Sequence, residues 1–460
     1  YHALFENWIK ASEDGVKVPK ISFLLPFGDN SGSQSQLRSL YNDIYKDGVY
    51  QQLWYYLDDK PMLMAYSGSM PSEISNFFTF RSGQAAYLLN GKTNVGQWGW
   101  LHTYPQPVYY GTKEQRRNKT PEEITVGVAV NHNYVTHEIT AMNGEHVMGR
   151  SYTSTYPDRY EKEGTSASLW GYNFSEQFDR ALKQDPMVVF VTGWNEWVAI
   201  KSAANLGNNS AYPECRGKRV YFVDTVNKEY SRDIEMMKGG YADNYYLQMM
   251  RNIRTLKGKS GTLSGSETGA IDISKGLTQW NAVTDVYYDF TGEINRDYKG
   301  FVESIHYKDD SLVNDIAEIR VTHDAENIYV LVACESDITA NPEAANWMNL
   351  LIDVDGQENE AFYGYDYLIN RQSSYTGQCS VEKLVAGSSV GFEMKGIANF
   401  TLSGKYMQYR IPKSALGIDG AFTIRFKVAD NITDPWNMES YYTTGESAPV
   451  GRLNYIFSGK

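Results

Sequence analysis

Cysteine is nearly absent from this chain: Cys215, Cys334 and Cys379 are the three thiols among 460 residues. Three scattered cysteines cannot build the disulfide framework of a small secreted domain, so at most one bridge is available and the fold must rest on its apolar core. Positive charge is also in short supply. Lys and Arg number 43 against 55 Asp and Glu, a formal net charge of −12, which argues against nucleic acid or an anionic membrane surface as partner. No apolar run is long enough to cross a bilayer as a helix. Nucleophile elbow, phosphate loop and a Rossmann glycine pattern between strand and helix are all missing, and no His/Cys/Asp spacing is diagnostic of a catalytic metal. No leader peptide is visible, but the chain does not begin with Met, as expected where an export signal has been removed. Tyrosine is the residue in excess: 36 Tyr and 10 Trp carry the aromatic share to 14%. Such rings suit polar ligands, because the face packs while one edge stays wet.

The order of elements divides the chain. Leu4, Phe5, Trp8 and Ile9 share one helical face, with Gly15 as the stop. A first strand follows at Ile21 to Phe27. Further strands are predicted near Met62 to Tyr66, Asn76 to Arg81, Gly96 to His102, Glu123 to Asn131, Met187 to Gly193 and Val220 to Asp224. Helices are predicted near Ser33 to Gly48, Ser175 to Gln184 and Tyr241 to Lys257, with a polar loop from Gly144 to Trp170. Alternating strands and helices argue for a parallel sheet, and residues 1–258 have the length of one α/β barrel of the TIM type. A barrel that opens on a helix lacks its first strand, so the expectation is a processed form that pairs with its own missing N-terminal segment. Residues 259–270 read as a Gly/Ser linker. Residues 271–460 carry short strands such as Ile328 to Ala333 and Phe422 to Val428, an all-β antiparallel sandwich.

Chemistry concentrates where the most apolar run, Pro186 to Gly193, breaks into Trp194-Asn195-Glu196-Trp197. A buried parallel strand is continuously apolar, and polar groups at its carboxyl end stand at a barrel mouth. Indoles beside a carboxylate suit a sugar, whose C–H faces pack on rings while its hydroxyls require hydrogen bonds. Glycoside cleavage uses two carboxyl groups. Glu196 is the first candidate, with Asp224 or Glu229 as its partner. Arg232, Asp233 and Glu235 beside them read as ion-pair residues. Trp194, Asn195, Trp197, Trp100, His102, Asn131 and His132, all at predicted strand ends, are the candidate sugar contacts. In the second half, Asp353-Val-Asp355-Gly loosely matches a calcium loop, so the segment is either an ordinary turn or a candidate site for a structural calcium near Asp353 and Asp355, and no cofactor is required. Trp347, Tyr363, Tyr365, Tyr367 and Trp436 are candidate sugar platforms.

Gly193-Trp-Asn-Glu-Trp197, with Asp224 and Glu229 to Glu235 following, resembles the barrel of glycoside hydrolase family 99-like proteins, which include endo-acting α-mannosidases. The resemblance implies that Glu196 assists attack through the sugar 2-hydroxyl. It places the family's general acid at position 199, where this chain has Ala199. Trp280, Asn314 to Arg320, Asn327 to Leu331 and Gly364 to Asn370 resemble family 9 carbohydrate-binding modules. Together these imply a glycoside hydrolase of poly- or oligosaccharides with an appended sugar-binding domain, placed outside the cell, at its surface or in the periplasm. The alternative implied by Ala199 is a glycan-binding protein that no longer cleaves.

Overall fold

The computed structural model describes residues 1–13, 15–26, 28–85, 93–196, 201–203, 220–258, 266, 268–292, 296–300, 304–357, 362–386 and 390–460. The chain divides into two compact units, Tyr1–Gly258 and Lys259–Lys460. Among the described residues no helix is long and apolar enough to cross a membrane.

The first unit carries twelve described strands: β1 (Phe23–Leu24), β2 (Tyr56–Leu57), β3 (Lys60–Met64), β4 (Thr79–Phe80), β5 (Ser82–Ala85) and β6 (Gln97–Trp100), then β7 (Glu123–Val126), β8 (Val130–Asn133), β9 (Val147–Met148), β10 (Val188–Val191), β11 (Lys201–Ala203) and β12 (Val220–Phe222). Parallel pairing joins β1 to β3 and β3 to β4, β5 to β6, and β7 to β10. Arg81 alone separates β4 from β5, and its N–H bonds the Leu63 carbonyl, so these ladders run on into one another. Between β6 and β7 a side chain stands in for the ladder: the Gly99 N–H donates to Glu123 Oε2 at 2.8 Å.

Helices cover these strands where their apolar stripes fit. Phe174, Phe178 and Ala181 of the helix Tyr172–Gln184 pack on Ile124 and Val126 of β7. Leu37, Leu40, Tyr41 and Ile44 pack with Phe5, Trp54 and Leu63.

The eight-stranded α/β barrel expected for this unit is not displayed by these pairings, which give three parallel sets among the described residues. Val220 to Asp224, expected as a barrel strand, is antiparallel to β11. A short apolar run specifies burial and says nothing of direction. The expected strand Glu123 to Asn131 is two strands, because the Gly127 N–H is taken by Gln177 Oε1 at 2.8 Å and β8 turns to pair antiparallel with β9. The expected loop from Gly144 to Trp170 contains β9 and two short helical segments, and it buries Arg150 and Ser151.

The second unit is all-β, as expected. Its strands are β13 (Val286–Tyr288), β14 (Arg296–Lys299), β15 (His306–Asp309), β16 (Ile316–His323), β17 (Asn327–Cys334) and β18 (Asn349–Asp353). They continue with β19 (Tyr367–Ser373), β20 (Gln378–Val385), β21 (Gly391–Ser403), β22 (Tyr406–Pro412), β23 (Phe422–Asp430), β24 (Glu446–Ala448) and β25 (Tyr455–Gly459). All but the β14–β15 hairpin join one antiparallel sheet in the order β13-β16-β17-β22-β21-β20-β19-β18-β23, with β24 and β25 both paired to β23.

The sheet curls until its ends meet: Tyr287 Oη donates to the Ile456 carbonyl at 2.8 Å and Tyr455 Oη to the Tyr288 carbonyl at 2.9 Å. Period-two alternation then sorts side chains between the faces. Leu350 and Ile352 enter the main core with Ile328, Val330 and Val332, while Leu351 joins Phe362, Tyr365 and Leu368 on the other face.

Candidate functional site

The candidate site forms where the chain leaves β10. Gly193 has a φ of +81°, a conformation that side chains with a Cβ disfavour, and a Cβ there would run into the Arg232 carbonyl. The segment after β12 lies across this turn: the Ile234 N–H reaches the Gly193 carbonyl at 2.9 Å and the Glu235 N–H reaches the Trp194 carbonyl at 2.9 Å. Residues far apart in sequence are thereby brought against the Trp-Asn-Glu run.

Arg232 is the hub. Its guanidinium is buried, with Nη2 2.6 Å from Glu196 Oε2 and Nε 3.3 Å from Asp224 Oδ2. Asp224 is buried and accepts at Oδ1 from the Thr225 and Arg232 N–H groups, both at 2.7 Å. Glu196 keeps 48% of its side chain exposed, so it is paired on one side and open on the other. Burial pushes its carboxyl up, Arg232 pulls it down and Asp224 pushes it up again, leaving it above the ordinary range. Trp194 is 45% exposed, its ring 5.8 Å from Tyr246 in an edge-on contact. Asn195 Nδ2 donates to Glu235 Oε2 at 3.2 Å. Trp197 and Ala199 lie outside the described residues, as does Cys215.

The structure therefore brings Glu196, Asp224, Trp194 and Asn195 together, and it does not bring Glu229 with them. Glu229 is 1% exposed and turned the other way, accepting from the Ser151 N–H at 2.9 Å, Ser151 Oγ at 2.6 Å and Ser168 Oγ at 2.7 Å. That wrapping makes it a fastener between its own loop and the Gly149–Ser151 turn.

His102, Asn131 and His132 are buried as well. His102 Nε2 bonds Tyr109 Oη at 2.8 Å, and Asn131 sits inside β8 with its carbonyl bonded by Thr140. Burial, then the charge of His132, pulls His102 down to about 3; burial, then His137, pulls His132 down to about 4. Both rings are neutral internal groups with no open face toward a sugar. Trp100 is half-buried against Phe190 at 5.8 Å. The polar strand ends predicted to line a mouth thus serve mainly as internal hydrogen-bonding residues. Cavities of about 720 and 380 Å³ in this unit, the second lined by Phe23, Met62, Trp98 and Phe190, are not lined by Glu196.

Asp233 was weighed in the sequence only as an ion-pair residue, yet it lies in this site. Its carboxyl faces the Glu196 backbone N–H, its Oδ2 is 3.4 Å from Thr225 Oγ1, and its Oδ1 has no hydrogen-bond partner. Nothing in residue spacing marks it, because its position depends on the fold-back over Gly193.

In the second unit one carboxylate oxygen each from Asp353, Asp355 and Asp366 lie within 4.8 Å of one another. Asp366 was not foreseen; it comes from the turn before β19. Asp353 Oδ1 accepts from the Asp355 and Gly356 N–H groups, and Oδ2 pairs with Arg425 Nη1 at 3.0 Å. Burial pushes Asp366 up, the Val354 N–H pulls it down, and the charges of Asp355 and Asp353 push it up further. Three hard oxygen donors, two from the end of β18 and the turn after it and one from the turn before β19, fit a calcium ion, which would share Asp353 with Arg425. A cavity of about 620 Å³ opens beside them. Of the expected sugar platforms, Trp347, Tyr365 and Tyr367 are buried core residues. Tyr363 and Trp436 are half-buried, with Tyr363 Oη bonded to the Trp436 carbonyl at 2.9 Å.

No protein-family model matches this chain, and no curated protein matches it. Among solved structures it is similar to a carbohydrate binding module family 9 (CBM9) from Caldicellulosiruptor kristjanssonii in complex with cellotriose. The identity is 13%, the match covers 38% of this chain and 80% of that one, and the TM-score is 0.20, a level at which the likeness carries no argument about fold or ligand.

Proposed function

We propose that the Tyr1–Gly258 unit is a glycoside hydrolase acting on a poly- or oligosaccharide, and that the Lys259–Lys460 unit is its sugar-binding partner. One observation carries the reading: a half-exposed carboxylate, Glu196, held at 2.6 Å by a buried arginine beside an exposed indole at the end of a parallel strand. An arginine on one oxygen fixes the carboxylate's direction and opposes the burial that raises its pKa, as a nucleophile or base requires. The open side of Glu196 and the face of Trp194 then receive the sugar. Asp224 keeps Arg232 in place from beneath.

The parallel strands are read here as part of a (β/α)8-type barrel resembling family 99-like hydrolases, and the curled sheet as a module resembling family 9. Such a pair of units belongs outside the cell, at its surface or in the periplasm. The calcium at Asp353, Asp355 and Asp366 is part of the same proposal, as a structural ion.

A second reading, a glycan-binding protein that does not cleave, is favoured by Ala199 and by Arg232, which spends Glu196 and Asp224 on an ion-pair network. A glycan library incubated with the full chain and with Glu196→Gln, read by mass spectrometry, separates the two. Cleavage by the wild type and its loss in the variant by about 10²-fold or more supports the hydrolase. Retained binding with no product from either protein supports the second reading.

A further inference from the structure

We propose that Arg150 is a positioning residue of this site, holding the Glu196 carboxylate in place through Arg232. This inference rests on the hydrolase reading for the use made of Glu196, and on contacts alone for the rest. Arg150 is fully buried, and its Nε and Nη1 have no hydrogen-bond partner. Nη2 is the nitrogen that is engaged, donating to the Asp233 carbonyl and, at 3.1 Å, to Ser231 Oγ. Those two residues stand on either side of Arg232, whose own Nη2 is 2.6 Å from Glu196 Oε2. A buried charge is costly, and this one is spent on fixing the neighbours of the arginine that grips Glu196.

Arg150 is itself tied to the scaffold. The Asn173 N–H, at the start of the helix Tyr172–Gln184, donates to its carbonyl at 3.1 Å, and its own N–H donates to the Glu229 carbonyl at 3.1 Å. Its guanidinium lies against the rings of Tyr241 and Tyr245, 4.4 and 4.3 Å from their centres, contacts that favour a cation out of water. Tyr245 is in the first turn of the helix Asn244–Lys257, and its Oη donates to the Ser168 carbonyl at 2.7 Å. Two helices therefore fix where Arg150 stands.

The segment that Arg150 holds also meets the end of β10. The Ile234 N–H bonds the Gly193 carbonyl and the Glu235 N–H the Trp194 carbonyl, both at 2.9 Å, while the Arg232 N–H is taken by Asp224 Oδ1 at 2.7 Å. Residues 229–235 are thus clasped by Arg150 and by the turn that leads into Glu196. The direction of the half-exposed Glu196 carboxylate follows the position of Arg232, and that position follows the clasp. Misplacement of a reacting group by about 1 Å costs on the order of 10²-fold in rate. Arg150 is wholly enclosed and touches neither Glu196 nor a surface that a sugar could meet, so its removal acts on turnover and not on binding.

The test uses the full chain. Glutamate labelled with carbon-13 in the side-chain carboxyl gives Glu196 a resonance, assigned by its loss in Glu196→Gln. Arg232→Met should raise the midpoint of its titration by about 1 pH unit, and Arg150→Met by about half of that or more. Ser231→Ala, which leaves the buried charge in place and removes one anchor, should move it the same way by less, and it carries the test if Arg150→Met does not fold. On the glycan cleaved by the wild type, Arg150→Met should lower kcat about 10²-fold with KM within about twofold. Arg150→Met added to Arg232→Met should change neither readout further, because one substitution acts through the other. Additive effects, or a Glu196 titration unmoved in variants that circular dichroism shows to be folded, overturn the assignment and leave the hydrolase reading standing. Absence of cleavage by the wild type overturns that reading, and the titration then decides by itself whether Arg150 holds Glu196.

Discussion

Acid should act on the Tyr1–Gly258 unit through its two buried imidazoles. His102 and His132 are 5% and 4% exposed, and their folded values of about 3 and about 4 lie below the roughly 6.5 of an unfolded histidine. The folded state therefore binds fewer protons. The stability it gains from neutral rings is complete above about pH 6.5 and is lost as the pH falls toward 4 and 3. At about 1.4 kcal/mol for each pH unit below 6.5, each histidine contributes a loss on the order of 2 kcal/mol at pH 5. Buried carboxyls run the other way: Glu123, pushed well above the carboxylate range by burial, and Asp233, at about 6, gain stability as the pH falls. A single melting curve would mix these effects. The clean readout is the difference between wild type and His102→Gln, which keeps a hydrogen-bonding group toward Tyr109 but takes up no proton. That difference in Tm should shrink between pH 7 and pH 5 by about 4–8 °C, the equivalent of about 2 kcal/mol in a unit of this size. Parallel curves for the two proteins across that range would refute a buried, neutral His102.

Two other outcomes follow from buried charge. Glu122 is fully buried and accepts from Arg81 Nε at 2.5 Å, Arg81 Nη2 at 2.9 Å and Trp98 Nε1 at 2.7 Å. Glu122→Gln leaves the guanidinium with Asp58 alone and should cost about 3–5 kcal/mol by urea unfolding; a loss under about 1 kcal/mol would show that the pair does not hold this end of the strands. Calcium at about 10 mM, against a dissociation constant near 0.1 mM, should stabilise the Lys259–Lys460 unit by about 2.7 kcal/mol, and Asp366→Asn should remove the effect. A melting transition indifferent to calcium would count against the Asp353, Asp355 and Asp366 site.

The second unit was the more legible in sequence, because a two-sided antiparallel sheet writes its alternation plainly. Ile328 to Ala333 and Phe422 to Val428 were foreseen and lie within β17 and β23. β21 escaped notice although it has thirteen residues, because its first half is solvated and carries Glu393 and Lys395 where a core strand would carry apolar side chains. Reading rings as platforms failed for a related reason. Tyr367 in β19 enters the main core, while Tyr365, in the turn before that strand, packs into the cluster on the other face; both faces are covered, so both rings are buried.

The first unit shows the limit of local signals more sharply. Val188–Val191 announces a strand because all four residues are apolar and β-prone, though each is only partly buried, and Glu196 is conspicuous because it follows that run. Direction is another matter. β12 looks as apolar as β10 yet lies antiparallel to β11, because an apolar run does not encode the direction of its strand. Distance along the chain conceals the site's second half. Backbone bonds that need no particular residue type lay the segment of Arg232, Asp233 and Ile234 across Gly193 and Trp194, and only then does the Arg232 guanidinium reach Glu196. What the fold-back does require is a missing Cβ at Gly193, so the glycine before Trp194 is the sequence's one local trace of the long-range contact that brings Arg232 to Glu196.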